Sequence, residues 1–98
     1  METFKDIIQS DRLVLVDFFA TWCGPCKAMH PVLEQLKAQM GDRLRIIKVD
    51  IDKYAHHAAE FNVQAVPTLM LFRSGQMLWR QSGAVPFGQL SQTINQYL

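Results

Sequence analysis

The chain has 98 residues, 49% of them hydrophobic, with ten basic and nine acidic side chains giving a formal net charge of +1. That length makes one domain, residues 1–98, with a single modest core that needs no disulfide staples. The mixed charge excludes an evident nucleic-acid or membrane surface, and no stretch is long and apolar enough to span a bilayer.

The first residues, M-E-T-F-K-D-I-I-Q-S-D, show no basic segment followed by an apolar run, so no signal peptide is visible. Glu2–Ser10 reads as a short helix, with Thr3 as N-cap and Phe4, Ile7 and Ile8 on one face. Leu13–Phe18 is a near-continuous apolar run, the pattern of a strand buried on both faces. Asp17 interrupts it. It is either a strand-end carboxylate reaching water, or a partly buried one whose raised pKa suits proton exchange near neutrality.

Pro25–Met40 reads as a long helix. Cys26, Met29, Leu33, Leu36 and Met40 recur at helical spacing, and Gly41 is a natural stop. The methionines are core filler. Pro31 sits inside this helix and is expected to kink it. Leu44–Asp50 is the second strand, joined to the first in parallel through a right-handed crossover. Lys48 on it either lies beside Asp17 and biases its ionisation or is an edge-strand lysine that blocks aggregation.

Asp52–Phe61 reads as a short helix, with His56 and His57 as surface residues. Asn62–Pro67 is a loop. Thr68–Arg73 and Met77–Gln81 are the third and fourth strands, joined by a hairpin at Ser74-Gly75. Trp79 is read as a half-buried strand residue. Pro86 starts the last helix, whose apolar face is Leu90, Ile94, Tyr97 and Leu98.

The two cysteines, Cys23 and Cys26, stand where the first strand hands over to the long helix. A helix N-terminus offers unpaired N–H groups and the positive end of the dipole, which stabilise a thiolate and lower its pKa. Cys23 takes the exposed, activated position. Gly24 permits a tight turn and leaves room for another chain, and Pro25 suits the first turn because it has no N–H to leave unsatisfied. Cys26 lies inside that turn, placed to resolve a mixed disulfide on Cys23. Half a zinc site is the competing reading. Zinc takes four ligands, and His30, His56 and His57 lack the spacing to complete the set, so no metal is expected. A structural disulfide would close too small a loop to restrict the unfolded chain much. Two cysteines without an export signal fit a redox-active pair in a reducing cytoplasm. Lys27 reads equally as a solvated lysine or as the edge of the site. His30 reads as an ordinary, partly exposed histidine, with an influence on the site's pKa as the other reading.

W-C-G-P-C-K, Trp22–Lys27, resembles the active site of the thioredoxin family. V-D-F-F-A before it, V-P-T-L-M-L-F later and S-G-A after that match the family in the same order, over roughly Leu13–Leu98. The resemblance implies an α/β thioredoxin fold: a four-stranded mixed sheet between helices, ordered second, first, third, fourth. It implies a protein dithiol–disulfide oxidoreductase that acts mainly as a reductant, since G-P between the cysteines is similar to the reducing members. Cys23 would attack the substrate disulfide, Cys26 release the product, Asp17 accept the Cys26 proton, and Lys48 match the family's lysine beside it. Val66-Pro67 would be a cis-proline loop against the cysteine pair, exposing Val66 backbone for strand addition by substrate. Trp22, Gly24, Pro25, Val66, Pro67, Gly83 and Ala84 would form the docking surface for disulfide-containing proteins.

The implied electron source is NADPH through the flavoenzyme thioredoxin reductase. The chain carries no dinucleotide fingerprint, so it is expected to bind no cofactor itself. It departs from the family at Phe19, where a second tryptophan is usual. It also starts at the helix that follows the family's usual first strand. Leu44–Asp50 is therefore expected at an exposed edge, in a monomer prone to weak self-association. Two other readings remain: a specialised enzyme of the same chemistry, and a binding module that uses its surface instead of its thiols.

Overall fold

A computed structural model describes residues 1–98. Four strands, β1 (Leu13–Phe19), β2 (Leu44–Asp50), β3 (Thr68–Arg73) and β4 (Gln76–Ser82), form one mixed sheet in the order β2-β1-β3-β4. The β1–β2 pair is parallel and the other two pairs are antiparallel. Four helices, α1 (Phe4–Ile8), α2 (Gly24–Met40), α3 (Ala55–Glu60) and α4 (Phe87–Asn95), complete the chain, with a 3-10 turn at Gly41–Arg43. The strand order is the expected one, with β2 at an edge.

Alternation along β1 sorts the core into two layers, because successive strand side chains point to opposite faces. Leu13 and Leu15 join Leu69 and Leu71 under α2 and α4, against Met29, Leu33, Leu36, Leu90 and Ile94. Val14, Val16 and Phe18 join Met70 and Phe72 on the other face, against Ile8, Phe4 and Phe61. Asp17 continues the Leu13, Leu15 series and so falls on the α2 face.

Several element ends differ from the sequence reading, each for a visible reason. Helix α1 spans Phe4–Ile8 instead of Glu2–Ser10. A capping box starts it: the Asp6 N–H donates to Thr3 Oγ1 and the Thr3 N–H to Asp6 Oδ2, both at 3.1 Å. Glu2 lies outside and pairs with Arg45 at 2.6 Å. Beyond Ile8, the Gly75 and Ser74 N–H groups of the distant hairpin donate to the Ile8 and Ser10 carbonyls at 2.8 Å. Helix α3 starts at Ala55 instead of Asp52, because the Asp50 carboxylate accepts from the Asp52 N–H at 2.9 Å and holds an Asx turn there. Strand β4 is longer than expected, and its register against β3 shifts between Leu71 and Phe72. Pro86 caps α4 from outside it. Helix α4 ends at Asn95, before Tyr97 and Leu98; Tyr97 still packs on the core that Leu90 and Ile94 belong to and donates its hydroxyl to the Leu78 carbonyl, whereas Leu98 is exposed.

His57 is not a simple surface residue. Its ring packs against Phe4 with centroids 4.5 Å apart, and its Nδ1 is buried without a partner. Burial lowers its pKa, with His56 adding to the effect. The side of α3 that carries it is an aromatic seam against α1.

Candidate active site

Cys23 is the N-cap of α2, in extended backbone (φ −94°, ψ 115°), and its Sγ accepts from the Cys26 N–H at 3.2 Å. The two cysteines are joined in a disulfide with Cα atoms 5.3 Å apart. Gly24 opens the helix without a left-handed backbone angle, so the expected need for glycine in a tight turn is not met there. A Cβ at Gly24 would touch nothing within 4 Å, so the space beside it is open. Trp22 ahead of the pair and Pro25 between the two cysteines are exposed.

Burial does not single out Cys23 as the exposed thiol. Cys23 is 5% exposed and Cys26 7%. The cover comes from the adjacent Phe19 and Ala20 and from the distant Ile51 and Val66, which pack on the pair, and the Val66 carbonyl oxygen lies 3.6 Å from Cys23 Sγ.

The Val66–Pro67 peptide is cis, and Pro67 is buried. Its carbonyl accepts from the Gly83 N–H at 2.8 Å, which ties the two loops together. Gly83 has φ +94°, a conformation side chains rarely adopt. The next buried residue, Val85, donates its N–H to Met29 Sδ at 3.3 Å and so anchors this loop to α2. Gly83 and Ala84 are exposed, and no hydrogen bond joins Ala84 to the cysteines. The Trp22 indole N–H donates to Asp52 Oδ2 at 3.0 Å, and Trp22 edges a hollow shared with Ile51, Val63 and Val66.

Asp17 lies beneath the pair, 2% exposed. It borders a cavity of about 480 Å³ with Phe19, Cys26, Lys27, His30 and Lys48. Burial pushes its pKa up from 3.8 to about 6, against an opposing pull from the Lys48 charge. Lys48 is the direct register partner of Asp17 across β1 and β2. Its ammonium, however, lies 2.7 Å from His30 Nδ1. His30 thus belongs to the site's surroundings more closely than an ordinary exposed histidine would. Its spacing of four from Cys26, which puts both on one side of α2, was the signal available in the sequence.

No group of three or more His, Cys, Asp or Glu side chains is arranged to hold a metal ion. No helix is long and apolar enough to cross a membrane. The site is a disulfide at a helix N-terminus, with a buried acid nearby whose pKa burial raises to about 6. The sequence model of the thioredoxin family matches residues 1–96.

The chain belongs to the thioredoxin family.

It is 44% identical to Thioredoxin 1 of Chlorobaculum tepidum over 95% of this chain and 93% of that one. It is 39% identical to the chloroplastic Thioredoxin Y of Oryza sativa subsp. japonica over 98% of this chain, but spans 58% of that longer relative. Among solved structures it is similar to thioredoxin from Trypanosoma brucei brucei, with a TM-score of 0.89, 32% identity, and coverage of 96% of this chain and 81% of that one. As a thioredoxin-family protein it is a dithiol–disulfide oxidoreductase acting on disulfide substrates, through chemistry that needs no bound cofactor.

Proposed function

We propose that this thioredoxin-family protein reduces protein disulfides in the cytoplasm, as a monomer, with Cys23 as nucleophile and Cys26 as resolver. The Cys23 thiolate attacks one sulfur of the substrate disulfide. A mixed disulfide forms, and the other substrate sulfur leaves as a thiolate. Asp17 takes the proton from Cys26. The Cys26 thiolate then attacks Cys23 Sγ, re-forms the Cys23–Cys26 disulfide and expels the second substrate thiolate. Two electrons pass from the pair to the substrate. Lys48 biases Asp17 towards its charged form. NADPH, through the flavoenzyme thioredoxin reductase, restores the dithiol.

The observation that carries this reading is the shared cavity of Asp17 and Cys26, with Cys23 bonded to Cys26 from the helix cap. A buried carboxylate with a pKa near 6 suits proton exchange with a thiol at neutral pH. Trp22, Gly24, Pro25, Val66, Pro67, Gly83 and Ala84 make up the docking surface in this proposal. The cap position of Cys23 and the open space at Gly24 support it. Substrate backbone would pair with Val66 by strand addition.

Insulin disulfide reduction, driven by NADPH and thioredoxin reductase, tests the proposal with wild type beside Cys23→Ser. Turnover in the wild type that vanishes in the variant is the expected result. Activity with a chemical dithiol alone would replace the electron source with a specialised one. Inactivity with either donor would overturn the reading.

A further inference from the structure

Asp17 and Lys48 are opposite one another across β1 and β2, yet they do not pair. Asp17 Oδ1 is buried with no hydrogen-bond partner. The Lys48 ammonium is engaged 2.7 Å away at His30 Nδ1 instead. An ammonium group has donors and no acceptor, so in this contact Nδ1 is the acceptor. Nε2 faces Glu34 Oε1 at 3.6 Å.

We propose that His30 is a latch on Lys48: the ring nitrogen holds the ammonium at the edge of the cavity, and loss of the ring releases it towards Asp17. His30 is thus a positioning residue that acts on Asp17 through Lys48. The consequence for the reaction rests on Asp17 accepting the Cys26 proton. While latched, Lys48 leaves that carboxylate unpartnered and therefore readier to take a proton.

Other charged groups also face Lys48. Lys27 shares the Asp17 cavity, Glu34, Lys37 and Arg45 line the neighbouring hollow, and Glu2 and the titratable Tyr54 and His57 lie along the outer side of β2. Arg45 already engages Glu2. Glu34 is the competing acceptor, but its side chain is 71% exposed, where an ion pair gains little. The buried Asp17 is the stronger attractor for a released ammonium.

The test is the titration of the Asp17 side-chain carboxyl by carbon-13 NMR in the oxidised protein. Four chains are compared with wild type: His30→Ala, His30→Gln, Lys48→Gln and the His30→Ala/Lys48→Gln double variant. The latch predicts that His30→Ala lowers the Asp17 midpoint by about one pH unit, the effect of an opposite charge moving close. In His30→Gln the side-chain oxygen accepts from Lys48, and the midpoint stays near wild type. The double variant matches Lys48→Gln alone. A direct field from a protonated His30 has the opposite sign, since removing it would raise the midpoint. An unchanged or raised midpoint in His30→Ala overturns the latch. So does a glutamine variant that behaves as alanine, or the same drop without Lys48. The titration involves no substrate, so failure of the catalytic reading shows separately, as an Asp17→Asn protein that reduces insulin at the wild-type rate.

Discussion

The carboxylate of Asp17 and the side chain of Cys26 border the same cavity, on the face of the sheet that α2 covers. Strand β1 delivers the first and the opening turn of α2 delivers the second. The acid is therefore held in place by core packing, with Leu13 and Leu15 below it on the same strand face.

That burial has a consequence for stability. The folded-state pKa of Asp17 is about 6, above its ordinary 3.8. The folded protein therefore holds this proton more tightly than the unfolded chain does. As pH rises from 3.8 to about 6 the folded state loses stability, and above that range the loss is complete. Its size is about 3 kcal/mol from the two pKa values. Asp17→Asn removes the penalty, so the variant should be more stable than wild type by roughly 2–3 kcal/mol at pH 7, with the two converging towards pH 4. Urea midpoints across this range are the measurement. Parallel curves would show that burial does not govern this carboxyl.

Removing the resolving thiol should trap the first step. Cys26→Ser leaves Cys23 at the helix cap but removes the sulfur that expels substrate. A mixed disulfide with a reducible protein substrate should accumulate on a non-reducing gel, whereas Cys23→Ser should form none. Adducts in equal amount with both variants would mean that attack is not confined to Cys23.

The two glycines of the proposed docking surface should respond differently to alanine. Gly83 has φ +94°, and a Cβ there meets nothing within 4 Å. The cost of Gly83→Ala is therefore conformational, about 1 kcal/mol. Gly24 opens α2 in open space with no positive φ. Gly24→Ala should leave stability unchanged or raise it by a few tenths of a kcal/mol. Thermal unfolding of both variants checks the contrast, and equal losses would contradict it.

Leu36 is fully buried between α2 and the sheet. Leu36→Ala removes contacts from the layer that supports Asp17 and should cost about 2–5 kcal/mol. Chemical denaturation measures it, and a loss below about 1 kcal/mol would mean that this layer collapses around the gap.

Local patterns carried most of the fold. The strand Leu44–Asp50 and the strand Thr68–Arg73 have the limits read from their apolar runs. The buried side of α2 is the set read from its spacing, Cys26, Met29, Leu33, Leu36 and Met40. Such patterns are legible because a helix or strand buries one face, and periodicity records which one. Element ends were less legible. Asp50 as a turn-former ahead of α3, and the hairpin N–H groups that close α1, act through side chains and partners that periodicity does not weigh.

By itself the sequence determined where the dithiol stands, at the junction of a buried strand and a helix, and which acid interrupts that strand. Those facts are local, because a helix start and an alternating strand are set by neighbours in the chain. Only the tertiary structure decided what meets them. It brought Val66 to Cys23 across 43 residues, and Pro67 to Gly83. It gave Lys48 to His30 instead of Asp17, across 18 residues. Which partner a polar side chain takes depends on the distances and desolvation left once the sheet and helices have packed, and no single segment contains that information.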